Sequence, residues 1–211
     1  LETLHLIAHP LHPPLRVRSV AARVLSLDAN WCVLRWKVEG AADLVVPGFA
    51  GQGRQDGLWQ TTCFELFVSK GALPQGEGWV GVSGADGVRD HSVCGPLLSA
   101  GAYSEFNCSP SERWAAYDFT GYRTGMAARP VTRAPVITPR RGGDVLFCDV
   151  AIPVETLPPL PWRYGPAAVL EEAGGVKSYW AIAHPPEKPD FHDPACLGAW
   201  LAAPTPEGVN S

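Results

Sequence analysis

Two glutamates and an asparagine in the middle of the chain have the chemistry of hydrogen-bond recognition. In "TTCFELFV" (61–68), Glu65 shares one side of an alternating segment with Cys63 and Phe67. In "YSEFNCS" (103–109), Glu105 and Asn107 share a side with Tyr103. Carboxylates and amides bridge neighbouring hydroxyls and a flat indole covers the apolar face of a sugar ring, so this set suits a saccharide. Arg35 and Lys37 of "WCVLRWKV" (31–38) join it if the three strands are neighbours in one sheet. Of eight tryptophans, Trp36 and Trp180 alternate with apolar neighbours and are expected in the core. Trp59, just before a strand, and Trp114, at the start of one, are expected beside the polar patch. A solvated sheet face with ordinary cross-strand ion pairs is the competing account of the same residues. Glu65 and Glu105 could also serve as the acid and base of glycoside hydrolysis, but that needs a set separation between the carboxylates. G-x-S-x-G, H-E-x-x-H and glycine-rich phosphate-loop motifs are absent, and the expectation is a binding module rather than an enzyme.

A second group of polar residues lies on "AHPPEKPDFHDP" (183–194), where four prolines hold His184, Lys188, Asp190 and His192 on a stiff, irregular path. The stiffness is explained first by architecture, because the segment leaves the strand "SYWAIAH" (178–184) and returns to a last strand, "CLGAWLA" (196–202). Lys188, Asp190 and His192 are expected to project from the same rim as Trp59. Metal binding by His184, His192 and Asp190 is the alternative. A histidine at a strand end more often packs and bonds to backbone, and no metal is expected.

The elements that must position these residues are strands. Glycine and proline together make up about a fifth of the chain, which leaves little room for long helices. Period-two alternation separates Phe64, Leu66 and Val68 from Glu65 and Phe67, Phe106 and Cys108 from Glu105 and Asn107, and Ala115, Tyr117 and Phe119 from Trp114 and Asp118. Each is expected to be half-buried with one polar face. Further strands are expected in 16–27, 134–138, 145–154 and 167–173, with glycine turns at "RRGGD" and "AGGVK". About ten short strands with regular turn signals predict one domain over 1–211: an all-β, antiparallel, two-sheet sandwich of jelly-roll type with few short helices. Residues 70–102 break the pattern and are expected to form a long loop or insertion, with a short hairpin around "GWVGVSG".

A net charge of -4 argues against nucleic-acid or anionic-membrane partners, which need a dense basic patch. Arg129, Arg133, Arg140 and Arg141 concentrate positive charge, and a solvated loop is preferred to a phosphate site there. Six cysteines with no C-x-x-C spacing, four of them inside expected strands, point to buried free thiols. No apolar run approaches the ~20 residues that span a bilayer. The cytoplasm is the expected compartment, with a removed leader left open because the chain does not begin with Met.

The segments "DGLWQTTCFELFV", "YSEFNCSPSERWAAYDFTGYRTGM" and "SYWAIAHPPEKPDFHDPACL" together resemble the bacterial DOMON-like family, which is grouped with DOMON domains and the family-nine carbohydrate-binding modules. The resemblance runs from about residue 15 to 202 and implies a β-sandwich with a sugar- or haem-binding role. This sequence departs from the family by the roughly thirty residues between "ELFV" and "YSEFN", and by Asp193, where similar sequences tend to carry a second histidine. For haem, the resemblance implies an axial methionine with a histidine or lysine. Met126 is the one methionine, with His184 or His192 as its partner. A protein-interaction module contacting its partner through the long loop is the third expectation.

Overall fold

Alternation becomes burial along each strand. In the computed structural model, which describes residues 2–71 and 101–202, Cys32, Leu34, Trp36 and Val38 are all buried while the residues between them are half-exposed. Thirteen strands follow in chain order: β1 (Thr3–Ala8), β2 (Ser19–Leu27), β3 (Trp31–Glu39), β4 (Gly53–Arg54), β5 (Cys63–Lys70), β6 (Tyr103–Cys108), β7 (Arg113–Phe119), β8 (Ala127–Ala128), β9 (Val136–Gly142), β10 (Val145–Pro153), β11 (Trp162–Glu172), β12 (Val176–Ala181) and β13 (Ala199–Leu201). Among the described residues, the helical pieces are three short 3-10 turns. The fold is all-β, and both glycine turns lie where expected, with Gly143, Gly174 and Gly175 left-handed between paired strands.

The strands form one continuous curled sheet in the order β4-β7-β6-β5-β11-β12-β1-β2-β3-β10-β9. Every ladder among them is antiparallel except the short β4–β7 pair. β1 makes the corner: Thr3–Leu6 pair with β2, whereas Ile7 and Ala8 pair with β12. A bulge in β2 between Val24 and Ser26 adds twist beside that corner. The curl brings the two halves face to face over one apolar core. There Trp36 of β3 meets Phe64 of β5, their ring centroids 5.7 Å apart. The far end is stapled by Glu172, whose buried carboxylate accepts the backbone N–H groups of Leu15 (2.7 Å), Arg16 (2.5 Å) and Val17 (3.2 Å).

The expectation of one polar face per strand needs correction on β5, β6 and β7. All six residues of β6 are buried, and the side opposite the core carries a second apolar cluster that includes Phe67, Tyr103, Tyr117, Phe119, Phe191 and Leu197. The cover is the proline segment itself. After β12 the chain rises off the sheet, crosses this face, and re-enters as β13 beside the same β11 that β12 had paired with. Between those two pairings, Gly165 lets the segment come down onto the sheet, since a Cβ there would lie 2.1 Å from the Cys196 carbonyl oxygen. Pro166 occupies the same gap, where a missing N–H need not break a ladder.

The five cysteines among the described residues are free and buried. No helix among the described residues is long and apolar enough to cross a membrane. The expected excursion and its hairpin lie, apart from the ends, outside the described residues.

Candidate functional site

Between the second apolar cluster and its proline cover lies a cavity of about 350 Å³. Register explains the space. Glu65 stands opposite Asn107 on β6 and Ala167 on β11, and Asn107 stands opposite Ala115 on β7, so two alanines leave room beside the polar side chains. Glu105 stands opposite Phe67 and Tyr117. Glu65 and Glu105 face the cavity beside Phe67, Tyr117 and Phe119, and across it are Tyr179 of β12 and Phe191 of the proline segment. At the edge, Trp59 sits on the 3-10 turn Leu58–Gln60, which is pinned by buried Leu58 and entered through left-handed Gly57. Trp59 is 43% exposed, against 0% for core Trp36.

The polar groups hold one another. Asn107 Nδ2 donates to Glu105 Oε1 at 2.7 Å, while the buried Asn107 Oδ1 has no partner. Tyr103 Oη and His192 Nδ1 are 2.7 Å apart, and His192 Nε2 lies 3.8 Å from Glu105 Oε2. Burial, helped by the Arg123 charge, drives the His192 pKa down to about 4, so the ring is neutral. Nδ1 thus shares a hydrogen bond with the Tyr103 hydroxyl, while Nε2 faces Glu105. Burial pushes Glu105 up to about 6 against the Asn107 hydrogen bond, and holds Glu65 well above the usual carboxylate range with help from the Glu105 charge. Both carboxyls therefore hold a proton more tightly than exposed carboxylates do.

Arg123 completes the wall from the β7–β8 turn, in a left-handed backbone conformation (φ 50°) unusual for arginine. It is held there by Asp190, which accepts Nη2 at 2.7 Å and Nε at 3.1 Å, and also accepts the Tyr122 hydroxyl and the His192 N–H. Burial by itself would raise Asp190, but these bonds outweigh it and leave the carboxyl below its usual pKa.

The structure thus brings Trp59, Glu65, Glu105 and His192 to one cavity, with Asn107 beneath and Asp190 bracing through Arg123. Four expected members are elsewhere. Lys37 of β3 pairs with Glu39 on its own strand at 2.6 Å. Arg35 projects from β3 in the other half of the sheet and makes a two-pronged pair with Asp149 at 2.6 and 2.7 Å. Trp114 is buried in the main core, because the alternation of β7 turns it away from Tyr117. Lys188 is exposed on the cover and does not line the cavity. Arg123, Tyr117, Phe119 and Phe191 are wall residues that alternation and motif spacing did not place at the site. Phe67 and Tyr103 had a legible signal, since they alternate in phase with the glutamates.

Of the two pairs considered for haem, the structure brings one to the cavity and not the other. Met126 lines the cavity, but His184 does not, and its Nε2 donates to the Ile7 carbonyl at 2.9 Å. His192 does line it together with Met126, its Nδ1 hydrogen-bonded with the Tyr103 hydroxyl and its Nε2 facing Glu105. No group of three His, Cys, Asp or Glu side chains able to hold a metal occurs among the described residues. Asp193 caps the last 3-10 turn, accepting the Ala195 N–H at 2.8 Å. The arginine concentration is engaged internally: Arg129 with Asp118, Arg133 with Glu155, Arg140 with Asp149, and Arg141 with the carbonyls of Ala41 and Ala42. The chain matches no family model and no curated protein sequence.

Proposed function

We propose that the protein is a non-catalytic binding module that takes a saccharide or sugar-containing molecule into this cavity, on a curled sheet read as a DOMON-like jelly-roll sandwich. The observation that carries the reading is the exposed indole of Trp59 at the edge of a cavity whose floor presents Glu65 and Glu105. An indole of this kind covers the apolar face of a ring, while carboxylates accept from its hydroxyls. The cavity is at the small end of the range for ligand pockets, which suits one or two rings rather than a long chain. Affinity is expected to be weak, with Kd near ~1 mM, because each hydrogen bond to the ligand replaces one to water. A tryptophan-fluorescence titration with mono- and oligosaccharides should change the emission of the wild type, and Trp59→Phe should lose most of that change. Silence across the panel at millimolar concentration would remove the saccharide reading.

A further inference from the structure

A neutral sugar leaves the charge balance of the cavity unresolved. Glu65 is 4% exposed and Glu105 is 6% exposed, and both face the space from neighbouring strands. Among the described residues no hydrogen bond reaches the Glu65 carboxylate. The groups able to offset this charge give their hydrogen bonds elsewhere. Arg123, from the β7–β8 turn, favours the ionised carboxylates through its charge but donates to neither, being held two-pronged by Asp190. His192, from the proline segment, is neutral. Tyr117 of β7 donates to a further carboxylate, Asp56. Tyr103 of β6 is spent on His192, and Tyr179 of β12 adds a ring without charge. Around the carboxylates stand six aromatic side chains: Trp59, Phe67, Tyr117, Phe119, Tyr179 and Phe191. Ring faces attract cations, and two adjacent buried carboxylates ionise together only beside positive charge.

The geometry points to a ligand that carries a protonated amine, with its nitrogen on Glu65 and Glu105 and its apolar body against the aromatic wall. An amino sugar has this chemistry and so does a small non-sugar ammonium. The inference rests on the reading that this cavity is the ligand site. Binding transfers no group: the ammonium favours the ionised form of both carboxylates, and whatever proton the pair has kept leaves to solvent.

Titration calorimetry of the full chain at pH 7 tests it with two matched pairs, glucosamine against glucose and cyclohexylammonium against cyclohexanol, each in two buffers of different ionisation enthalpy. At least one ammonium should bind ten-fold or more tightly than its neutral partner, release protons to the buffer, and tighten as pH rises from 5 to 7. Glu105→Gln should weaken it at least ten-fold, and if that variant does not fold, proton release by the wild type decides the same question. Glucose binding as tightly as glucosamine, with no preference for cyclohexylammonium, would overturn the inference and leave the saccharide reading standing. Cyclohexylammonium binding with both sugars silent would uphold the inference and overturn the saccharide reading. No binding by any of the four would overturn both, and ammonium binding without proton release or sensitivity to Glu105→Gln would overturn the placement on the carboxylate pair.

Discussion

At the scale of single residues, the cavity holds two ionisable groups that pull stability in opposite directions over the same pH range. Glu105 keeps its proton more tightly folded, at about 6, than at the ordinary 4.5. Its contribution is fully present below pH 4.5 and is lost as pH rises through about 6. His192 is lowered from 6.5 to about 4, so its contribution is present above pH 6.5 and is lost as pH falls through about 4. The two slopes offset each other between pH 4.5 and 6. Glu105→Gln keeps an acceptor for Asn107 and removes the Glu105 slope, together with the charge that helps to raise Glu65. Thermal melts at intervals from pH 4.5 to 7.5 should show the variant gaining on the wild type as pH rises, by about 2 kcal/mol across the range. A difference that stays flat would mean that Glu105 does not titrate in that window.

At the scale of elements, the proline segment is the piece whose role changed most between sequence and structure. It is a strand connection, as its prolines imply, but it crosses the face of the sheet and roofs the cavity with Phe191. Asp190 is its anchor, almost fully buried and accepting from Arg123, Tyr122 and the His192 backbone. Asp190→Ala should lower stability by about 2 kcal/mol, since it strands several donors at once. Lys188→Ala, on the same segment but exposed, should stay within about 0.5 kcal/mol of the wild type. Paired thermal melts check the ranking. Equal melting temperatures for both variants would show that the roof does not depend on its anchor. Alternation located Glu65, Glu105 and Asn107 on one side of their strands, because period two is a local property of the chain. It could not reveal that Phe191 and Leu197 would cover that side, because this contact joins residues more than eighty positions apart.

At the scale of the whole molecule, one curled sheet means that neither half has a complete core alone. The main cluster draws on β2, β3 and β10 from one half and on β5, β6 and β11 from the other. Glu172 ties the end of β11 to the segment leading into β2 through three backbone N–H groups. Glu172→Ala should cost about 3 kcal/mol, as those donors lose a shared acceptor in a buried setting. Because the core is common, the loss should move the whole transition, and midpoints from far-ultraviolet circular dichroism and from tryptophan fluorescence should fall together. Separated midpoints would show that the halves melt independently.

The all-β class, the longer strands apart from β1, the two glycine turns and the sets of side chains that share a face were legible in the chain alone, since they follow from local sterics and period-two patterning. The same patterning placed Trp36 and Trp180 in the core and the glutamates together on the opposite side. Which strands became neighbours was settled by folding. That choice sent Arg35 to Asp149 in the far half and turned Trp114 inward. It also brought Arg123, Phe191 and His192 over Glu65 and Glu105. The pairing of β11 with β5, β12 and β13 depends on how distant apolar faces share one core, and no short window of sequence carries that information. The burial that raises the two carboxylates, and with it the chemistry of the cavity, follows from the same packing.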